Sequence, residues 1–256
     1  MLLGLLEEGF FQRGLNPDLL LGVSVGALNG AVFAEEPNDS GLDRLVQLWS
    51  TARLQSLFPR RRTFGYLANR EAVYPAEPLR QLIRDNLSIE DLANTKVPLH
   101  VLLTDTDAGT EAWFNQGSAV DLLYGSAAIP GVLPPLRLNG HHYIDGGMVD
   151  PNPVRRAIEL GARTIVLFLC GSLTPFFHSK GRPLATLLMG YSLTQLALTK
   201  RELARGPSTV EIVTLECSAA DSVDALDFRQ TQRLMAAGKR SVTNARRQLI
   251  ELIEGQ

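Results

Sequence analysis

Gly22-Val23-Ser24-Val25-Gly26 sets a serine between two glycines, in the pattern G-x-S-x-G, just after a short apolar run and just before a segment of helical composition. In that context the flanking glycines permit a tight, strained turn that lifts a hydroxyl clear of a sheet. The helix N-terminus that follows offers unpaired N–H groups and a partial positive charge to developing negative charge. The chemistry this predicts is nucleophilic attack by Ser24 on a carbonyl, with the Val25 N–H as an oxyanion donor. A serine needs a base. Of four histidines, only His178 follows a plausible acid in the order Ser, acid, His, and it lies in the loop-like stretch Pro175-Phe176-Phe177-His178-Ser179. His100 reads as a strand residue, and His141 and His142 as exposed residues after a turn. The other candidate base is Asp145 in Asp145-Gly146-Gly147, because a carboxylate held within hydrogen-bond reach and partly desolvated can take the hydroxyl proton directly. A plain Asp-Gly turn is the competing reading of those three residues. Asp105 and Asp107 flank a turn without a further ligand cluster, so they are read as turn formers and no metal site is expected.

The elements that must hold Ser24 and Asp145 follow from pattern. Asp18–Val23 reads as a short buried strand, bounded by Pro17 and the glycine-rich turn, and Val25–Ala34 as the helix after it. Helices also fit Gly41–Leu54, with Leu42, Leu45, Val46, Leu48 and Trp49 on a buried face, and Pro78–Asn86, with proline in the first turn. Val97–Thr104 is the next strand, turning through Asp105–Gly109 into Thr110–Asn115. Leu136–Leu138 and His141–Ile144 form a second hairpin, because Asn139-Gly140 accepts the positive φ angles of a type I′ turn. Asn152-Pro153 reads as an N-cap followed by a first-turn proline, opening a helix that ends near Gly161. Strands at Thr164–Leu169 and Val210–Leu215 and long helices at Leu184–Ala204 and Phe228–Ile253 complete the pattern. Strands alternating with helices give an α/β class with a mainly parallel sheet flanked by helices, and no linker divides the 256 residues, so one domain is expected.

Composition narrows the function. The formal charge is −2, with 20% charged and 45% hydrophobic residues, which speaks against a disordered chain and against a nucleic-acid binder with a basic excess. Two cysteines are too few for a disulfide framework or a cysteine zinc site, so a reducing, cytoplasmic setting is expected, with Cys170 as a buried small apolar side chain. Glu7-Glu8 interrupts the apolar N-terminus and no basic segment precedes it, which rejects a signal peptide. No apolar run reaches the roughly 20 residues of a spanning helix. Arg60-Arg61-Arg62 beside Phe58 and Phe64 is a candidate for contact with anionic headgroups, and Phe10-Phe11 with Phe176-Phe177 for a lipid-facing rim. A solvated loop and core packing are the plainer readings.

Three blocks together resemble the patatin-like phospholipase family, bacterial members especially, over Leu2 to about Ala245. Leu20–Ala31 is similar to its nucleophile block, Gly125-Ser126-Ala127-Ala128-Ile129-Pro130-Gly131 to its Ser-x-x-x-Pro block, and Tyr143-Ile144-Asp145-Gly146-Gly147 to its Asp-Gly-Gly block. The resemblance implies a three-layer patatin-like fold and a Ser–Asp dyad. Ser24 would attack an ester, Asp145 would accept its proton, and an acyl-enzyme would be hydrolysed without metal or organic cofactor. The implied substrate is a lipid acyl ester such as a phospholipid or lysophospholipid. The family's glycine-rich Gly-Gly-Gly-x-Arg-Gly oxyanion loop has no counterpart here, and Met1–Gly9 resembles the later part of the helix after that loop. The expectation from this is an intact protein starting on the order of 15–25 residues earlier. Two alternatives stand beside the dyad: a catalytically impaired member that binds lipid or a partner, and a Ser-His-Asp carboxylesterase using His178.

Overall fold

The computed structural model describes residues 1–52, 54–59, 71–171, 183–205, 210–222 and 228–255. In chain order the elements are α1 (Leu2–Glu7), β1 (Leu20–Val23), α2 (Val25–Glu35), α3 (Asp39–Thr51), α4 (Leu54–Leu57), α5 (Glu77–Asn86), β2 (Leu99–Asp105), β3 (Thr110–Phe114), α6 (Ala119–Ser126), β4 (Leu136–Leu138), β5 (His141–Asp145), α7 (Val154–Glu159), β6 (Thr164–Leu169), α8 (Pro183–Arg205), β7 (Glu211–Glu216), α9 (Thr231–Asn244) and α10 (Arg246–Glu254). They divide into two compact units, Pro17–Pro151 and Met1–Asn16 with Asn152–Gln256. The α/β class holds. The sheets are mixed, with parallel β1–β2 and β6–β7 ladders and antiparallel hairpins, and they are flanked by helices.

In the unit Pro17–Pro151, β2 is the spine. Leu99, Val101, Leu102 and Leu103 are each at most 1% exposed, as a strand buried on both faces requires. β1 pairs in parallel with Leu99–Leu102, β5 antiparallel with Leu103–Asp105, and β3 with Val101–Asp105. Because β3 opposes residues of both stretches, it occupies one side of β2, and β1 and β5 share the other side end to end. β1 runs up to Val23 opposite Leu102, and β5 runs down to Asp145 opposite Leu103. Two segments far apart in sequence therefore stop at adjacent steps of one strand.

The local signals hold well here. The expected face of Leu42, Leu45 and Leu48 is buried in α3, but the helix runs over Asp39–Thr51 rather than Gly41–Leu54, because Asn38 caps it by accepting from the Gly41 N–H. The β4–β5 hairpin turns through Asn139 at φ 51° and Gly140 at φ 84°, the type I′ geometry. Tyr124 on α6 is buried, which pushes its phenol up to about 12, and its hydroxyl donates to the Pro134 carbonyl.

In the other unit, β6 and β7 pair over Thr164–Leu169, and α1 lies against α9. One core gathers Leu5, Phe10, Leu215, Val242, Leu249 and Leu252, and a second joins Val154, Leu167 and Leu169 with Leu203. Phe10 is 1% exposed and Phe11 packs on the same core, so that pair builds the interior rather than a rim. Three expectations need correction. Pro153, not Asn152, is the N-cap of α7, and the Asn152 amide instead donates to Thr199 Oγ1 at 2.7 Å. The single helix expected over Phe228–Ile253 breaks at Ala245 into α9 and α10, just past Thr243 and Asn244, two weak helix formers. Cys170, expected to be buried, counts among the exposed residues, although desolvation still pushes its thiol pKa up. Arg60–Arg62, Phe64 and Phe176–His178 lie outside the described residues. Among the described residues no helix is long and apolar enough to cross a membrane.

Candidate active site

Ser24 sits at the step between β1 and α2 with φ 53° and ψ −128°, a backbone conformation that costs a non-glycine residue about 1–3 kcal/mol. Its neighbours hold it there. The Ser24 N–H donates to Ser126 Oγ at 3.0 Å, and the Ser24 carbonyl accepts from the Ala27 and Leu28 N–H groups at 2.9 and 3.3 Å. Gly22 is required by packing, since a Cβ there would lie 2.6 Å from Ala27 Cα. A Cβ at Gly26 would meet nothing within 4 Å, so the second glycine of the pattern leaves open space at the start of α2.

Asp145, at the end of β5, is fully buried. Its Oδ2 accepts the Ser24 hydroxyl at 2.6 Å, within the range of a hydroxyl donating to a carboxylate. Its Oδ1 accepts the Gly147 N–H at 2.8 Å, its N–H donates to the Ala128 carbonyl at 3.0 Å, and its carbonyl accepts Thr104 Oγ1 at 2.8 Å. One carboxylate oxygen is thus held by the turn while the other faces the serine. Gly146 fits under β2, where a Cβ would come within 2.3 Å of the Leu102 carbonyl oxygen. All three residues of the Asp-Gly-Gly segment have a defined place: a buried acceptor, a close approach, and an N–H that orients the acceptor.

Two groups at this site were not given a role by the residue-level reading. Ser126, fully buried at the end of α6, donates to the Leu102 carbonyl at 2.7 Å while accepting from Ser24, so it ties the strained serine to the central strand. Thr104 fixes the Asp145 backbone from the neighbouring strand. The only sequence signal for Ser126 was its place in the Ser-x-x-x-Pro block. Thr104 had none, since its contact depends on the β2–β5 register.

His100 is in β2 opposite Leu21, as expected for a strand residue. Asp105, Asp107 and His141 bring ligand-type atoms within 4.8 Å of one another, but these atoms are engaged in the two hairpin turns. Asp105 Oδ1 accepts the Asp107 and Ala108 N–H groups and its Oδ2 pairs with His141 Nδ1 at 2.8 Å, while Asp107 Oδ2 accepts the His142 N–H and meets His142 Nδ1 at 3.0 Å. The Ala108 N–H chiefly, aided by His141, holds the Asp105 carboxyl below the usual range. The resulting stability is complete above the unfolded carboxyl pKa and is lost as the pH falls through that value toward the folded one. Asp105→Asn is therefore expected to flatten the acid limb of a melting-temperature series against pH. An unchanged acid limb would show that the turn contacts do not titrate as described.

The site thus places a strained serine at a strand-to-helix elbow in hydrogen-bond contact with a buried aspartate at the end of an antiparallel strand. The family model for patatin-like phospholipase matches residues 1–158, and the chain belongs to that family. Its mixed sheet flanked by helices is consistent with the family's three-layer fold. The chain is 30% identical over 162 residues to an NTE family protein of Mycobacterium tuberculosis described as uncharacterized, covering 63% of this chain and 43% of that protein. It is 29% identical over 172 residues to the neuropathy target esterase of Drosophila melanogaster, covering 63% of this chain and 11% of the relative. It is 27% identical over 163 residues to human patatin-like phospholipase domain-containing protein 6, covering 63% and 12%. The chain thus spans less than half the length of each of these relatives.

Proposed function

We propose that the protein hydrolyses acyl esters of lipids through a Ser24–Asp145 dyad. Ser24 Oγ attacks the ester carbonyl while Asp145 Oδ2 takes its proton. The tetrahedral oxyanion is met by the Val25 N–H, one of the first N–H groups of α2, which have no partner within the helix. Collapse expels the alcohol portion of the lipid with the proton from Asp145 and leaves the acyl group on Ser24. Asp145 then deprotonates a water that attacks the acyl-enzyme, releasing the fatty acid and restoring the serine. No step calls for a metal or an organic cofactor. The observation that carries this reading is the 2.6 Å hydrogen bond from Ser24 Oγ to a fully buried carboxylate. The lipid ester class is supported by family membership and by the names of the relatives, one an esterase and one a phospholipase domain protein.

Labelling with a fluorophosphonate probe followed by peptide mass spectrometry tests it. The adduct is expected on Ser24, and an unlabelled protein or an adduct on another residue would end the proposal. Ser126→Ala is a milder test of the positioning hydrogen bonds. It removes a buried hydroxyl bonded to two backbone groups and is expected to cost about 1–3 kcal/mol in chemical denaturation. Turnover should fall with little change in KM, because the variant frees the nucleophile's backbone rather than the substrate contacts. A variant as active and as stable as the parent would remove Ser126 from the site.

A further inference from the structure

The long helix α8 presents a face that ordinary solvent exposure does not account for. From Pro183 to Thr199 the sequence carries no acidic or basic residue, and between Thr186 and Leu198 no residue is buried. A helix face turned to water normally carries charge. Here Leu187 is 72% exposed and Leu193 45% exposed, at the two edges of an exposed arc about 120° wide that also holds the exposed Thr186, Gly190, Thr194 and Ala197. The arc ends in cations, the exposed Lys200, Arg201 and Arg205. The one carboxylate of the helix, Glu202, is turned to the protein, where it accepts the Arg155 N–H at 2.7 Å. The same end is anchored, with Thr199 4% exposed and bonded to Asn152, and Leu203 packed on Val154, Leu167 and Leu169.

We propose that the outward face of α8 docks on an anionic lipid bilayer, with Leu187 and Leu193 at the acyl boundary and Lys200 and Arg201 among the phosphates. Charge selects this occupant. The arc pairs an uncharged stretch of leucine, threonine, glycine and alanine with cations and has no carboxylate, which complements an interface that is apolar below and negative above. A second copy of the same arc offers those cations no acidic partner in either orientation. The proposal rests on the lipid-ester reading for its biological sense but not for its test.

Flotation of the full chain with vesicles of equal parts phosphatidylglycerol and phosphatidylcholine, both ether-linked so that nothing is cleaved, reads the interaction directly. Binding is expected at low salt, weakening as salt is raised. Leu187→Glu with Leu193→Glu should lower partition by about tenfold or more. Lys200→Glu with Arg201→Glu should do likewise, since each cation near such a surface contributes about fivefold. All four sites are exposed, and an unchanged circular-dichroism melt confirms that the variants are folded. The proposal is overturned if the parent protein ignores anionic vesicles, or if the glutamate variants float as it does. It is equally overturned if light scattering finds a dimer that the leucine substitutions dissolve while vesicles go unbound. Loss of flotation with Ser24 labelling intact condemns the docking surface alone, and loss of labelling with flotation intact condemns the hydrolase reading alone.

Discussion

Asp145→Asn is expected to lower ester hydrolysis by about 10²–10⁴-fold, the usual contribution of a positioned general base, while leaving the protein folded. The substitution nearly preserves shape. With the amide oxygen placed to accept the Gly147 N–H, as Oδ1 does now, the amide nitrogen falls on Ser24 Oγ. The polarity of that hydrogen bond then reverses: the serine accepts where it formerly donated, and no group remains to take its proton. Fluorophosphonate labelling should fall with hydrolysis, and Ser24→Ala should abolish both. A melting curve close to that of the parent separates this from unfolding. His178→Ala discriminates the competing triad, because the dyad keeps labelling intact in that variant. An Asp145→Asn protein that hydrolyses esters within a few-fold of the parent would show that another group is the base.

The second large effect is on stability. Gly146→Ala places a methyl group 2.3 Å from the Leu102 carbonyl oxygen and 2.8 Å from its carbon. Those atoms are backbone of the central strand, and the same oxygen already accepts from Ser126, so no flexible side chain can give way. Overpacking typically costs about 1–3 kcal/mol, and a clash with fixed backbone belongs at or above the top of that range. Relief requires the Asp-Gly-Gly turn to move away from β2, which carries Asp145 from Ser24, so activity should fall with stability. Gly26→Ala is the matched control. It lies in α2 with open space around its Cβ position, and it should change stability by no more than about 0.5 kcal/mol. Equal denaturation midpoints for the two variants would refute the packing account.

The local code was largely legible. A glycine-serine-glycine elbow between an apolar run and a helix and an Asn-Gly turn are short-range devices, and β1, α2 and the β4–β5 hairpin formed where those devices predict them. Local pattern failed in two ways, once to a distant partner and once to weak helix formers inside a periodic run. Asn152 gave up the cap for Thr199, and the C-terminal helix broke where a continuous apolar-polar period suggested none.

What the amino-acid sequence determined unaided was the chemical inventory: a serine preset for a strained turn and a carboxylate in a segment able to bury it. Their meeting was decided by the sheet. A four-residue strand and an antiparallel hairpin strand divide one side of β2 between them and stop at Leu102 and Leu103, which leaves the hydroxyl and the carboxylate 2.6 Å apart. Strand register is fixed by cross-strand hydrogen bonds and by which face is buried, and both depend on partners 38 to 79 positions away along the chain. A linear pattern therefore names the two groups, and only the assembled ladder sets the distance between them.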